Sequence, residues 1–174
     1  MSEQIRVLLP EEELDRRIAE LGAQISADYA GESVHLICIL KGSIFITCEL
    51  AKRLTIPVTI DFMCVSSYGA AMESSGVITI KKDLEESIEG RNVIVVEDII
   101  DTGRTLQYLL EELSNRKPKD LKLCAMLDKP DRRVTDVSVD YTGFEIPDEF
   151  VVGYGLDYDQ RYRNLPYVGI LTLS

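Results

Sequence analysis

The sequence has no tryptophan, one histidine, four cysteines and six prolines among 174 residues. A single histidine, His35, excludes multi-histidine metal sites, and any nucleophile–histidine pair would have to use it. It lies in the apolar run VHLICIL, where an imidazole at a strand edge is more often tolerated than catalytic. The cysteines (Cys38, Cys48, Cys64, Cys124) form no CxxC pair and no metal-ligand spacing. Three of them sit inside apolar runs, where a reduced thiol behaves as a small hydrophobe. Basic charge is also scarce: 19 Lys+Arg against 30 Asp+Glu leave a net charge of −11. That balance opposes binding of nucleic acid through overall charge. No apolar run approaches the ~20 residues of a membrane span. The start, MSEQIRVLLPEEE, turns acidic where a secretory signal would need a longer apolar core and a small-residue cleavage site. These absences predict a cytoplasmic protein with no membrane or nucleic-acid partner. Its chemistry must rest on carboxylates, lysines, backbone amides or a borrowed cation.

What is present is ordinary globular material, 45% apolar and 28% charged, of a length that suits one compact domain spanning 1–174. Leu14, Ile18, Leu21 and Ile25 form one helical stripe that Pro10 can open and Gly31 can close. VHLICIL (34–40) has the length and apolarity of a strand covered on both faces. Lys41-Gly42-Ser43 then leads into a helix for which Ser43 is the expected N-cap, and Pro57 breaks it. Strands are predicted at 58–65, 77–82, 92–100 and 121–127, with short runs at 137–140, 150–153 and 167–173. Leu106, Leu109, Leu110 and Leu113 mark another helix. The aperiodic SSYGAAMESSG (66–76) reads as a long loop. Strands alternating with helices predict an α/β fold: an open, mostly parallel twisted sheet flanked by helices.

The chemistry concentrates in NVIVVEDIIDTGRTL (92–106), an apolar strand running into acids and then into a small polar turn that opens a helix. Active sites of open α/β sheets lie at the carboxyl ends of strands. The unpartnered amides of a helix start, aided by its dipole, form an anion site. Thr102 and Thr105 add hydroxyls, Gly103 allows close approach, and Arg104 adds charge, so Asp101–Thr105 describes a monophosphate cradle. The plain alternative is a helix cap, with Asp101 or Thr102 at N-cap. No GxxxxGK[ST] occurs, and Gly153-Tyr154-Gly155 lacks the third glycine and helix of a dinucleotide fingerprint. Glu97, Asp98 and Asp101 would repel a phosphate unless a cation or hydroxyls lay among them, and a ribose diol with Mg²⁺ meets both conditions.

In this pattern the chain resembles the type I phosphoribosyltransferases, whose signature is a hydrophobic strand, two acids and a [DT]-x-G-x-T turn. Within that group it is similar to the hypoxanthine-guanine branch. The matches run in the family's order: Leu40-Lys41-Gly42-Ser43, Ser66-Ser67-Tyr68-Gly69, the 96–105 signature, Lys129, and FVVGYGLDY at 150–158. The resemblance implies a small hood formed by the termini and a mobile active-site loop at 66–76, with Ser67 and Tyr68 closing over the reacting atoms. It implies ribose recognition by Glu97 and Asp98, phosphate binding by Thr102, Gly103, Arg104 and Thr105, and proton exchange at purine N7 by Asp101. Lys41, Gly42 and Arg163 match the pyrophosphate site, and the Leu40-Lys41 peptide is cis in such proteins. Around the purine stand Lys129 facing the 6-oxo group, Phe150 stacking, the Val151 backbone, and Asp157. Mg²⁺ is the implied cofactor, with Glu97, Asp98 and Asp157 as ligands.

The implied substrates are phosphoribosyl pyrophosphate with hypoxanthine or guanine, in a homodimer or homotetramer. DTGRT also resembles the signature of pyrimidine-operon regulators, RNA-binding attenuators with uracil phosphoribosyltransferase activity. The net charge of −11 opposes that reading, and Lys129 followed by FVVGYGLDY favours the purine enzyme.

Overall fold

Continuous apolar runs become strands buried on both faces. In the computed structural model, which describes residues 2–68 and 77–174, every residue of β2 (Val34–Ile39) is buried, as are the first six of β5 (Asn92–Ile100). With β3 (Val58–Tyr68), β6 (Asp120–Asp128) and β7 (Tyr141–Glu145) they form a parallel array, and β4 (Val77–Lys82) adds an antiparallel edge. The order is β4-β3-β2-β5-β6-β7. The chain moves outward from β2 in one direction and from β5 in the other. A crevice therefore opens beyond the carboxyl ends of these two strands, where α/β proteins bind ligands.

Helix α1 (Glu11–Asp28), opened by Pro10, buries Leu14, Ile18, Leu21 and Ile25 as the stripe predicts. It packs with α2 (Ile44–Arg53) over one face of the sheet, and α3 (Arg104–Ser114) covers the other. Ser43 stands at the N-cap position of α2, but its hydroxyl caps nothing. Cys38 and Cys124 are buried free thiols, pushed by burial to pKa values of about 11 and about 12, as expected of inert core residues. Cys64 is partly buried and Cys48 is exposed.

A second, antiparallel sheet of order β1-β9-β8 joins both ends of the chain: β1 (Glu3–Leu9), β9 (Val168–Leu173) and β8 (Val151–Val152). This is the small hood formed by the termini. Strand β1 carries no clear local signal, because its partner lies at the opposite end of the sequence.

Two predicted boundaries are corrected. The run at 137–140 is not a strand: Val137 and Val139 pack against the core on the α3 side, and the carbonyl of Val137 is taken by Arg133 Nη1 at 2.9 Å. Pairing with β6 begins only at Tyr141. At the other boundary, Ser66, Ser67 and Tyr68 belong to β3 instead of a loop, because they pair with Thr79, Ile78 and Val77 of β4. The remainder of the expected loop, 69–76, lies outside the described residues.

Candidate active site

Three neighbouring parallel strands deliver the site. Lys41 follows β2, Glu97 and Asp98 lie near the end of β5, and Lys129 follows β6. The peptide entering Lys41 is cis. Gly42 is buried so closely against Asp98 that an added Cβ would collide with its carboxylate oxygen, so any side chain there would displace either the loop or the acid. Glu97 is only 9% exposed. Burial, then the neighbouring Asp98 charge, push its carboxyl well above the usual range. Asp98 is raised as well by burial, against an Ile99 N–H that donates to its Oδ1 at 2.7 Å and the charge of Arg163. Adjacent carboxylates of this kind, one buried and one half-buried, gain from hydroxyl donors or a hard cation.

The Asp101–Thr105 turn caps differently from the plain expectation. The N-cap of α3 is Gly103, at φ 87° with no side-chain cap bond. Neither Asp101 nor Thr102 occupies that position. Asp101 is exposed and pairs with Arg132, whose Nε donates at 2.9 Å. Thr102 turns its carbonyl to Val134 N (3.0 Å) and Thr135 Oγ1 (3.3 Å). A Cβ at Gly103 would strike Thr135 Oγ1, so both its left-handed backbone and its packing require glycine. Thr105 is half-buried and Arg104 exposed on the first turn of α3. A cleft of about 260 Å³ runs from Ile39 and Glu97 past Asp101, Thr102, Gly103 and Thr105.

Lys129 is 8% exposed, with Asp148 Oδ1 3.6 Å from its Nζ. Phe150 is 52% exposed, which removes the reading of ordinary core. Its ring and that of Tyr158 form a T-shaped pair with centroids 5.9 Å apart. Val151, buried in β8, pairs with Ile170. Arg163 donates from Nη1 to the Gly155 carbonyl at 2.7 Å and from Nη2 to Gln160 Oε1 at 3.3 Å, and pairs with Asp157 at 3.0 Å. Lys41 Nζ donates to the same Gln160 Oε1 at 3.0 Å. The loop thus joins Lys41, Arg163 and Asp157. Asp157 is committed to Arg163, and among the described residues no group of three acids forms a metal cluster with Glu97 and Asp98. The residues fit Mg²⁺ only as a partly protein-bound ion that takes most of its ligands from substrate oxygens.

The phosphoribosyl transferase domain matches residues 8–159, most of the chain. The chain belongs to that family. A hypoxanthine-guanine phosphoribosyltransferase of Streptococcus thermophilus is 48% identical over 166 residues, covering 95% of this chain and 92% of that protein. A hypoxanthine phosphoribosyltransferase of Salmonella typhimurium is 49% identical over 175 residues, covering 99% and 98%. Among solved structures, a hypoxanthine-guanine phosphoribosyltransferase from Bacillus anthracis, with a HEPES molecule in its active site, superimposes with a TM-score of 0.92 at 43% identity. It covers 99% of this chain and all of that one. No described helix is long and apolar enough to cross a membrane.

Sequence reasoning missed four residues that contact the candidate site residues. Arg132 pairs with Asp101. Arg133 pairs with Asp128, reaches the Asp101 carbonyl at 3.4 Å and packs against Gly103. Asp148 stands 3.6 Å from Lys129 and 3.7 Å from Arg132. Gln160 bridges Lys41 and Arg163. The charge-rich DKPDRR segment (128–133), which begins on the last residue of β6, is the one sequence signal that pointed at the first two.

Proposed function

We propose that this protein is a purine-salvage enzyme that transfers the 5-phosphoribosyl group from phosphoribosyl pyrophosphate to N9 of hypoxanthine or guanine, giving IMP or GMP and pyrophosphate. The observation that carries this reading is the convergence of Lys41, the Glu97–Asp98 pair and Lys129 at the ends of three adjacent strands. Such an array offers, in order, a cation for a leaving diphosphate, acids for a ribose diol, and a buried donor for an oxo group.

The bond from ribose C1 to the diphosphate breaks through an oxocarbenium-like state, and a C1–N9 bond forms. Lys41 and Arg163 receive the charge developing on the leaving group, with the Gly42 backbone beside them. Glu97 and Asp98 accept from the ribose hydroxyls. The turn of Thr102, Gly103, Arg104 and Thr105 binds the 5′-phosphate at the start of α3. Asp101 takes the proton that leaves the ring at N7. Lys129 donates to the 6-oxo oxygen, the exposed ring of Phe150 stacks on the base, and the Val151 backbone meets its far edge beside Asp157. Ser67 and Tyr68 are assigned to keeping water from the sugar diphosphate, which would otherwise hydrolyse. Mg²⁺, when bound, would neutralise the diphosphate; Glu97 and Asp98 would be its protein-side oxygen donors, with Asp157 joining them on release from Arg163.

This reading takes the whole chain, 1–174, as one catalytic domain, cytoplasmic and assembled as a homodimer or homotetramer. The RNA-binding alternative is not favoured: the relatives named above are purine enzymes, and the chain carries a net charge of −11. The test is a purified-enzyme assay with phosphoribosyl pyrophosphate, Mg²⁺ and a panel of bases. Strong turnover of hypoxanthine and guanine is expected, negligible turnover of adenine and uracil, and complete loss with excess chelator that added Mg²⁺ reverses. Comparable use of adenine, preference for uracil, or full activity without metal would each refute it.

A further inference from the structure

Gln160 has no part in the proposed reaction, yet its side chain sits between the two cations read as the pyrophosphate site. One oxygen, Oε1, accepts from Lys41 Nζ at 3.0 Å and from Arg163 Nη2 at 3.3 Å. Two cations that would repel each other meet on this one neutral acceptor, and Arg163 Nη2 is shared with Asp157 Oδ1 at 3.0 Å. The arrangement is held in place. Asp157 Oδ2 accepts from the Gln160 backbone N–H at 2.8 Å. Asp159 and Gln160 are consecutive left-handed residues at φ 51° and 63°, with Tyr162 at 76°. Non-glycine residues persist in that region only where the surroundings over-determine them, and such strain clusters at ligand sites. Arg163 Nε, meanwhile, is buried with no hydrogen-bond partner among the described residues.

We propose that Gln160 is a placeholder for the diphosphate: its amide oxygen occupies, in the free enzyme, the position between Lys41 and Arg163 that a phosphate oxygen takes in the complex. It keeps the two long side chains converged, and it competes with the ligand for their donors. A neutral amide suits this task. A hydrogen bond to one charged partner is weaker than an ion pair, so the amide yields to a phosphate, whereas a carboxylate at this position, added to the Asp157 pair on Arg163, would hold both cations against it. The inference rests on the pyrophosphate-site reading of Lys41 and Arg163 given above.

The test uses the full chain and Mg²⁺-pyrophosphate as probe, titrated calorimetrically, together with KM for phosphoribosyl pyrophosphate and for hypoxanthine. Gln160→Ala removes the competitor and leaves the backbone N–H bond to Asp157. It is expected to bind Mg²⁺-pyrophosphate several-fold more tightly and to lower KM for phosphoribosyl pyrophosphate. Gln160→Glu is expected to weaken both by roughly tenfold, the difference between a neutral and a charge-assisted acceptor. KM for hypoxanthine should stay within about twofold in each, since Gln160 touches only the pyrophosphate-site cations and Asp157. A merely structural role predicts that both substitutions weaken binding in parallel. That result, or two unchanged affinities beside a normally binding parent, overturns the placeholder alone. Failure of the parent to bind the probe, or an Arg163→Met variant that binds as the parent does, removes the site reading and this inference with it.

Discussion

Asp101→Asn separates proton transfer from scaffolding, because the structure leaves this carboxylate little scaffolding to do. Gly103, not Asp101, stands at the N-cap of α3, and the only side-chain partner of Asp101 among the described residues is Arg132 at 2.9 Å, with both side chains about half exposed (48% and 47%). Exposed ion pairs of this kind are screened by solvent and contribute little. Asparagine keeps the size and an acceptor oxygen for Arg132, so Tm should move by no more than ~4 °C in a chain of this length. Turnover should respond differently. Asparagine cannot accept the purine proton, and general acid–base contributions of ~10²–10⁴-fold correspond to about 3–5 kcal/mol of barrier. The assay is steady-state kcat with hypoxanthine at saturating phosphoribosyl pyrophosphate and Mg²⁺, beside a thermal melt. Near-normal kcat would refute the proton-transfer role. A large fall in both kcat and Tm would show that Asp101 organises the turn after all.

Lys129→Ala should cut kcat/KM for hypoxanthine and narrow the gap to adenine, because a buried ammonium has three donors and no acceptor for a 6-amino group; kcat/KM for both bases measures it. Glu97→Gln should raise Tm by roughly 2–4 °C while lowering kcat/KM for phosphoribosyl pyrophosphate, since it relieves a charge that burial and Asp98 both disfavour; a lower Tm with unchanged activity would contradict this. His35 is held below its ordinary pKa by burial first and the Arg91 charge second, against Asp61 and Glu86, which raise it. Its contribution is therefore present above about pH 6.5, the unfolded value, and is lost as pH falls through the lowered folded pKa. The urea midpoint of the parent should drop more between pH 7.5 and pH 5.5 than that of His35→Gln, and equal drops would contradict it.

The sequence by itself determined the α/β class, the paired acids of β5 and the Asp101–Thr105 turn at the start of α3, because each is a local pattern. Periods of two and 3.6 residues follow from side-chain direction along strand and helix, and the 96–105 signature packs strand, acids and helix start into one stretch of chain. It also marked Lys41, Lys129, Phe150, Asp157 and Arg163, through matching segments spread along the chain. Tertiary structure alone decided how these segments meet. Sheet order puts the ends of β2, β5 and β6 side by side, although 31 residues of sequence separate Glu97 from Asp128 and 58 separate Ile39 from Glu97. It decided that Gly103 takes the cap and frees Asp101, that β1 exists at all by pairing with β9, and that β3 continues through Tyr68 by pairing with β4. It also decided which polar residues complete the site. Arg132, Asp148 and Gln160 look like solvated surface charge or amide in the sequence, and their partners lie 31, 19 and 119 residues away at Asp101, Lys129 and Lys41. Contacts of that kind carry no local period, since they arise only when folding brings distant loops to the same end of the sheet.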